Sequence, residues 1–210
     1  MQEIRNKKIC CFHLLNDYSG SATMLSMVVN GLERSGCSVE LCTSKGDGAL
    51  SSFTKVAHSY MYEFSTNPLV TLFRYLRVQL NNFAFVIFKH RKEDFICYIN
   101  TILPVGAALA AKICGKSVVY HYHENASVKG FHYKVLAGIM QLIADEIICV
   151  SRYQASLLER KHRVYIIPNA LPQKFIERLV PDMERSFNSR VVLMLSSLKT
   201  YKGIRQFSNL

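Results

Sequence analysis

The chain contains 210 residues, of which 50% are hydrophobic and 20% are charged, so it can bury a sizeable core and is not disordered throughout. At roughly 150 residues per domain, this length corresponds to about 1.4 domains, which is long for one α/β unit and short for two. Lysine and arginine number 26 against 15 acidic residues, giving a net charge of +11. Such a charge favours polyanionic partners: phosphate ligands, anionic lipids or nucleic acids.

Short apolar runs alternate with amphipathic segments over most of the chain. The runs are typical of strands that are covered on both faces of a parallel sheet, and we predict strands at Lys8–Leu15, Val39–Thr43, Val56–Ser59, Phe95–Asn100, Ser117–His121, Glu146–Val150 and Val164–Ile167. Helices are predicted between them at residues 21–35, 104–114, 131–144 and 151–161. This alternation predicts an α/β fold with a doubly wound parallel sheet and right-handed crossovers.

The segment at residues 69–88 imitates a membrane span in length, but Arg74, Arg77 and three side-chain amides interrupt it. We predict a helix that packs on the sheet or lies on a bilayer surface. Basic residues continue to Lys92, and helices that combine basic and apolar side chains favour anionic bilayers. Residues 69–92 are therefore a candidate membrane contact, with a solvated basic face as the alternative.

The pattern changes near residue 168, where two prolines and an asparagine favour turns. We predict a first domain at residues 1–171 and an interdomain linker at residues 172–189. A new strand and the start of a helix follow at residues 190–210, which is too little to bury an apolar face. This last segment is therefore predicted to begin a second α/β domain.

The seven cysteines are odd in number, and no pair has the C-x-x-C spacing of a zinc or redox motif. Several lie inside apolar runs, which indicates buried thiols in a reducing compartment rather than a disulfide framework. The first 12 residues lack the apolar stretch and cleavage site of a signal peptide. We therefore expect a cytoplasmic protein.

Polar residues follow several of the predicted strands, at the edge where open α/β sheets bind ligands. Gly20 lies in the loop after the first strand and would let the backbone approach an anion at a helix N-terminus; an ordinary capped turn is the alternative. His123 and Glu124 follow the fifth strand and could bond sugar hydroxyls or a phosphate. His121 precedes them, so the H-x-H spacing could also hold a metal, although no third ligand is evident, and purely structural histidines remain a further alternative.

Three later positions are weaker candidates on their own. Ser151 follows the sixth strand and forms a capping-box signature with Gln154, and Asn169 follows the seventh strand in a turn-forming context. Lys199 and Lys202 lie in a polar loop before a helix, where ammonium groups suit a diphosphate. Solvated loop lysines are common, so this signal gains weight only from its neighbours.

The order of these elements resembles the retaining glycosyltransferases of family 4, which have the GT-B fold of two facing Rossmann-like domains. The motifs are the small-residue loop after strand one, the histidine-containing loop after Tyr-His, and then ICVSRYQ, IIPNA and LSSLKTYKGI. The resemblance implies a nucleotide-sugar donor, a saccharide or lipid-linked acceptor, no metal cofactor, and a place in cell-surface polysaccharide biosynthesis. It places Gly20 and Ser21 near the donor phosphate and acceptor, and His123 in the sugar pocket. Lys202 matches the lysine that binds the donor diphosphate.

Two departures from the family pattern matter. A Gly-Arg pair usually precedes the lysine, whereas this chain has Ser196 and Ser197; Lys199 is the candidate replacement, without bidentate guanidinium geometry. The family's Glu-x7-Glu motif is not within these residues. We therefore expect a fragment that contains the acceptor side, lacks most of the donor domain and has little transferase activity alone.

Other functions fit the sequence less well. A non-catalytic acceptor- or membrane-binding module is the main alternative to an enzyme. A nucleotide-dependent oxidoreductase is disfavoured because the G-x-G-x-x-G fingerprint is absent. Nucleic-acid binding is disfavoured because the positive charge is dispersed and no known nucleic-acid module is present.

Overall fold

The structure is a computed structural model, and it describes residues 6–53, 56–159, 163–171, 173–177 and 204–208. The chain divides into two compact units, Met1–Ala170 and Leu171–Leu210. The first unit contains the sheet described below. The predicted linker and second domain fall mainly outside the described residues, so that division of the chain stays a prediction.

The first unit is built on a seven-stranded parallel sheet. Its strands are β1 (Lys8–Phe12), β2 (Ser38–Ser44), β3 (Val56–Tyr60), β4 (Ile96–Asn100), β5 (Ser117–Tyr122), β6 (Glu146–Cys149) and β7 (Val164–Ile166). They lie in the order β3-β2-β1-β4-β5-β6-β7. All seven predicted strands are confirmed. The order makes β1, β4 and β5 neighbours, so the loops after these three strands meet at one edge of the sheet.

Helices lie between most pairs of successive strands, but none is described between β2 and β3. In the first unit they are α1 (Gly20–Arg34), α2 (Pro68–Phe85) with a π-helical turn at Val86–His90, α3 (Val105–Ile113), α4 (Ala126–Lys129), α5 (Phe131–Ile143) and α6 (Arg152–Ser156). The described part of the second unit contains α7 (Gln173–Ile176) and α8 (Ile204–Phe207). The predicted helix at residues 151–161 is wrong in length, because α6 ends at Ser156. The single turn of α4 has no counterpart among the predicted helices.

Both faces of the sheet are covered, as a doubly wound fold requires. On β1, Ile9 and Cys11 pack with Leu25 and Val29 of α1 on one face. Alternate residues of β1 and β4 face the other side, where they pack against alanines of α3, Met140 of α5 and Val86 of the π-helical turn. Because each strand alternates between these two cores, its sequence reads as an unbroken apolar run.

Helices α2 and α3 approach each other unusually closely at Gly106. The Gly106 amide donates to Gln79 Oε1 at 2.9 Å, and a Cβ atom at position 106 would overlap the Gln79 backbone carbonyl. Glycine is therefore required at this crossing. The opposite side of α2 is exposed and carries an apolar stripe, with relative exposures of 75% at Leu69, 68% at Phe73 and 70% at Leu80.

Among the helices that the structure describes, none combines the length and apolarity that crossing a membrane requires. Six of the seven cysteines are buried and Cys114 is partly exposed, and among the described residues the structure shows no disulfide. Burial raises the pKa of Cys10 to about 12. The prediction that several cysteines are buried is confirmed.

Candidate functional site

Asn100, at the end of β4, links the loops that follow three neighbouring strands. Its side-chain amide nitrogen donates to the Ser21 carbonyl at 3.0 Å and lies 3.1 Å from His13 Nδ1. Its Oδ1 atom lies 3.0 Å from His123 Nε2. Asn100 is fully buried, so water cannot replace these bonds. One side chain thus fixes the relative positions of the first loop, His13 and His123.

These contacts assign the proton of the His123 imidazole. The Ser21 carbonyl can only accept, so it must face the Asn100 amide nitrogen, and Oδ1 must face His123. Because Oδ1 can only accept, His123 carries its proton on Nε2. Its Nδ1 atom is then an acceptor. His13 Nδ1 lies 3.1 Å from the Asn100 amide nitrogen and 3.4 Å from the Asn100 carbonyl oxygen, and its Nε2 is a buried atom with no partner among the described residues.

The histidines of this cluster are neutral near pH 7. Burial lowers the pKa of His123 to about 3, with further lowering from His121 and His13 nearby. Burial alone lowers the pKa of His121 to about 4, and burial also lowers the pKa of His13. The rings of His121 and His123 lie 4.0 Å apart, which two charged imidazoles would not favour. Neutral His123 is therefore suited to accept a hydrogen bond, and it is a poor proton donor.

A cavity of about 150 Å³ adjoins this cluster at the carboxyl ends of β5 and β6. His123 lines it together with Ser151, Tyr153 and Gln154. The predicted residues His123 and Ser151 therefore face the same space, although 27 positions separate them in the sequence. A hydroxyl, an aromatic ring and an imidazole acceptor around one small cavity suit a sugar or another polyhydroxy group.

Gln154 holds the two loops around this cavity together. Its Nε2 atom donates to the Glu124 carbonyl at 2.8 Å, and its Oε1 atom accepts from the Val150 amide at 3.0 Å. Ser151 Oγ accepts from the Gln154 amide at 3.1 Å, which confirms the predicted helix cap. Gln154 is buried, and its bonds tie the loop after β5 to the loop after β6.

Glu124 points into the protein. It is 5% exposed, and its Oε2 atom accepts from the Ile102 amide at 3.3 Å. Burial raises the pKa of its carboxyl group, although Lys129 and backbone amides oppose the shift. Substrate contact by Glu124 stays a prediction, and the bonds that the structure shows give it a role in holding the loops after β4 and β5.

The first loop is clamped by a residue that the sequence did not single out, Asn16. Its Nδ2 atom donates to the Gly46 carbonyl at 2.9 Å and its Oδ1 atom accepts from the Leu50 amide at 3.1 Å. This clamp fixes the chain that leads into α1 at Gly20. The first turn of α1 contains no acidic residue, so its amide groups remain favourable to an anion.

Backbone strain occurs at the same edge of the sheet. Thr101, next to Asn100, has a φ of 72°, a conformation that costs a β-branched residue about 1–3 kcal/mol. Its amide donates to the His121 carbonyl at 2.9 Å. Packing of β4 against β5 thus holds Thr101 in this conformation, as occurs at many functional sites.

The remaining predicted residues lie apart from this cluster or cannot be placed. Asn169 is exposed after β7, and it is not among the described residues that line the cavity. Ser197, Lys199 and Lys202 lie outside the described residues. Their proposed contact with a diphosphate stays a prediction.

Two sets of side chains contain atoms of the kind that bind metal ions. His121 Nδ1 is bonded to Tyr98 Oη at 2.7 Å, and in the described chain the H-x-H pair belongs to no group of three metal-ligating side chains. Such a group does form where Cys10, Glu40 and His90 approach within 4.8 Å under the π-helical turn. There the Lys8 ammonium already lies 2.7 Å from Glu40 Oε1, so a cation is present beside the carboxylate.

His13 and Asn100 are the residues that sequence reasoning missed. His13 directly follows β1 and Asn100 is the last residue of β4, just as His123 directly follows β5. That position was a usable signal. The separation of 87 residues between His13 and Asn100 concealed their contact, because it depends on β1 pairing with β4.

Comparison with known proteins places this arrangement in a family. The family model described as Glycosyltransferase Family 4 matches residues 18–174. The chain belongs to glycosyltransferase family 4. The match includes the first loop, Asn100, the histidine cluster and the cavity, and it confirms the resemblance that the motifs predicted. No curated protein matches the chain.

Solved structures share the fold of this family 4 chain at low sequence identity. HepE from Anabaena, in complex with UDP and glucose, is 18% identical with a TM-score of 0.53, over 79% of this chain and 45% of its own. MnaA from S. aureus, solved with UDP, is 16% identical with a TM-score of 0.53, over 76% and 43%. MurG from Acinetobacter baumannii is 15% identical with a TM-score of 0.51, over 80% and 46%. The chain spans less than half the length of each, which corresponds to one Rossmann-like half of a GT-B fold.

Proposed function

We propose that this domain is the acceptor side of a glycosyltransferase that moves a sugar from a nucleotide-sugar donor to a saccharide or lipid-linked acceptor. The proposal rests on the family match over residues 18–174, a range that includes the cavity lined by His123 and Ser151. HepE and MnaA were solved with UDP, which makes a UDP-sugar the first donor to test. Retention of anomeric configuration and a place in cell-surface polysaccharide biosynthesis belong to the same proposal.

The reaction requires stabilisation of the departing diphosphate and of positive charge on the sugar. We assign donor-diphosphate binding to Ser197, Lys199 and Lys202, as the resemblance to the family implies. As a separate assignment within the first unit, the N-terminus of α1 at Gly20 and Ser21 contacts an anionic or hydroxyl group of a substrate. Lysine and helix amides supply positive charge without a metal ion, so the proposal includes none. Because His123 is neutral and accepts at Nδ1, its part is to orient a sugar hydroxyl in the cavity beside Ser151. Asn169 is a further candidate for substrate contact.

The proposal is tested with the full chain and with the complete protein that carries it. Binding of UDP-glucose by calorimetry and release of UDP on adding acceptor are the two measurements. Lys202→Ala should weaken donor binding by about tenfold or more, because a charge-assisted bond to phosphate is lost. Lys7→Ala, at the opposite edge of the sheet from the cluster, is the matched control and should leave binding unchanged.

His123→Ala separates the two parts of the proposal. It should lower turnover by roughly ten- to a hundredfold while leaving donor diphosphate affinity nearly intact, because one hydrogen bond to the sugar is lost. Unchanged donor affinity in Lys202→Ala would count against the diphosphate assignment. Acceptor binding without turnover by the complete protein would favour the alternative, a non-catalytic acceptor- or membrane-binding module.

We further propose that the protein is cytoplasmic and attaches peripherally to an anionic membrane through residues 69–92. The support is the exposed stripe of Leu69, Phe73 and Leu80 on α2, which is bordered by exposed Arg77. Apolar side chains beside basic ones suit the boundary between lipid headgroups and acyl chains. Co-sedimentation at low salt with anionic and neutral vesicles is the test, and equal binding to both would overturn this attachment.

A further inference from the structure

A large apolar groove lies beside the histidine cluster. It has a volume of about 770 Å³ and is lined mainly by residues 62–75 and 131–136, with Leu14 and Leu103 between them. This volume is within the range of sites that enclose one small ligand, about 300–1,000 Å³. We refer to it as the apolar groove. It is concave, unlike the exposed stripe on α2.

Two hydroxyl groups along the apolar groove are bonded within the protein. Tyr75 Oη donates to the Leu103 carbonyl at 2.8 Å. Thr71 Oγ1 donates to the Ser65 carbonyl at 3.1 Å and accepts from the Ser65 amide at 2.9 Å. The walls therefore offer mostly hydrocarbon and aromatic surface. A ligand that fills this groove must itself be apolar along most of its length.

The rim of the groove leaves large apolar side chains in contact with water. Phe131 is 80% exposed, Phe64 is 67% exposed and Leu72 is 52% exposed. Soluble proteins rarely leave such side chains clustered in the open unless a ligand or partner covers them. The exposure supports a groove that is filled during function.

Basic residues border the same groove. The Lys129 ammonium lies 4.8 Å from the ring centroid of Tyr133, a lining residue, and Arg74 Nη1 donates to the Glu63 carbonyl at 3.1 Å. The two segments at residues 62–75 and 129–136 contain three basic residues against one acidic residue, Glu63. An apolar chain that ends in an anionic phosphate matches this combination.

Two residues that line the apolar groove directly follow residues of the proposed site of sugar transfer in the sequence. Leu14 follows His13 directly, and Leu103 follows Ile102, whose amide binds Glu124. A chain lying in the groove would therefore present its head near the histidine cluster. A single groove accommodates one chain, which favours a single-chain lipid over a diacyl lipid.

We propose that the apolar groove binds the hydrocarbon chain of a single-chain lipid phosphate, with its phosphate at the basic rim beside Lys129. The assignment of this lipid as the acceptor rests on the proposed function; binding of the lipid itself does not. The proposed function allowed either a saccharide or a lipid-linked acceptor, and this proposal selects the lipid-linked one.

The test uses the full chain and farnesyl phosphate, a soluble prenyl monophosphate, below its micelle concentration and with no nucleotide sugar present. Binding is measured by calorimetry. Farnesyl phosphate should bind at least tenfold more tightly than inorganic phosphate. It should also bind more tightly than dihexanoyl phosphatidic acid, the diacyl arm of the experiment.

A matched pair of double variants locates the binding. Leu72→Asp with Val135→Asp places carboxylates on exposed lining residues and should weaken farnesyl phosphate binding at least tenfold. Leu80→Asp with Leu142→Asp makes the same change at exposed positions of α2 and α5 that do not line the groove, and should weaken binding less than twofold. Equal thermal unfolding of both variants verifies that they fold.

Three results would overturn the proposal. They are farnesyl phosphate binding no tighter than inorganic phosphate, equal loss in both double variants, and tighter binding of the diacyl lipid. The parent protein could also bind vesicles but no monomeric lipid, with vesicle binding lost equally in both double variants. That result would overturn the groove proposal and indicate that this side of the protein binds a bilayer surface. Lipid binding without any sugar transfer by the complete protein would refute the proposed function and leave the groove assignment standing.

Discussion

Replacing Asn100 with alanine tests the construction of the site. The side chain is fully buried and contacts the Ser21 carbonyl, His13 Nδ1 and His123 Nε2. Alanine supplies none of these bonds. The Ser21 carbonyl and the His13 ring nitrogen would be left without this partner in the interior, while His123 would lose the acceptor that fixes its proton on Nε2.

The expected loss follows from these three contacts. A buried group left without a partner costs about 1–3 kcal/mol, and an ordinary hydrogen bond contributes about 1 kcal/mol. Two orphaned groups and one lost bond on partly exposed His123 together predict about 3–7 kcal/mol. For a chain of this size, 3 kcal/mol corresponds to a fall in Tm of about 6–12 °C. Exposed Asn30 on α1 is the matched control, and Asn30→Ala should change stability by less than about 0.5 kcal/mol.

Two measurements check the prediction for Asn100→Ala. Thermal unfolding by circular dichroism gives the change in stability. Long-range ¹H–¹⁵N NMR spectra of the histidine rings report the tautomer, and His123 should lose its uniform Nε2–H form. A loss below 1 kcal/mol together with an unchanged His123 tautomer would refute the network described above.

The remaining predictions concern packing and pH. Gly106→Ala should destabilise the protein by about 1–3 kcal/mol in urea unfolding, because its Cβ would overlap the Gln79 carbonyl. Gly31→Ala is the control and should be neutral or stabilising, because the space around Gly31 is open. Similar losses at both positions would contradict the close helix crossing. Lowering the pH from 7.5 to 5 should reduce stability by about 2 kcal/mol through His123, since its pKa is about 3 in the folded protein against about 6.5 when unfolded, so the unfolded state binds the proton first. His123→Gln should remove this part of the pH dependence, and an unchanged urea midpoint between the two pH values in the parent protein would count against a buried neutral imidazole.

The architecture of the first unit follows from the sequence because the two faces of each strand pack into two different hydrophobic cores. Cys10 and Phe12 face one side of the sheet while Ile9 and Cys11 face the other, so the strand shows as an unbroken apolar run. Helix ends are less evident from sequence. The apolar pattern continues beyond Ser156, where α6 ends, because Leu158 is buried by contacts outside the helix.

The candidate site was predictable only in part. His123 and Ser151 each follow a strand, and that rule brings both to the same edge of the sheet. The rule does not say which strands are neighbours, so it could not pair Asn100 with His13. It also could not show that Glu124 turns inward to the Ile102 amide, since that direction depends on the loop after β4.

The buried thiols allow local unfolding of the chain to be measured by chemical labelling. Cys10, Cys42 and Cys97 lie on three adjacent strands, and each reacts with a maleimide only when its part of the sheet opens. Partly exposed Cys114 would be labelled first, and its labelling rate would serve as an internal reference for the reactivity of the reagent. Since the sequence contains no tryptophan, intrinsic tryptophan fluorescence is not an option. Mass spectrometry of the labelled peptides would therefore measure local stability strand by strand, in crude extracts and without any inserted probe.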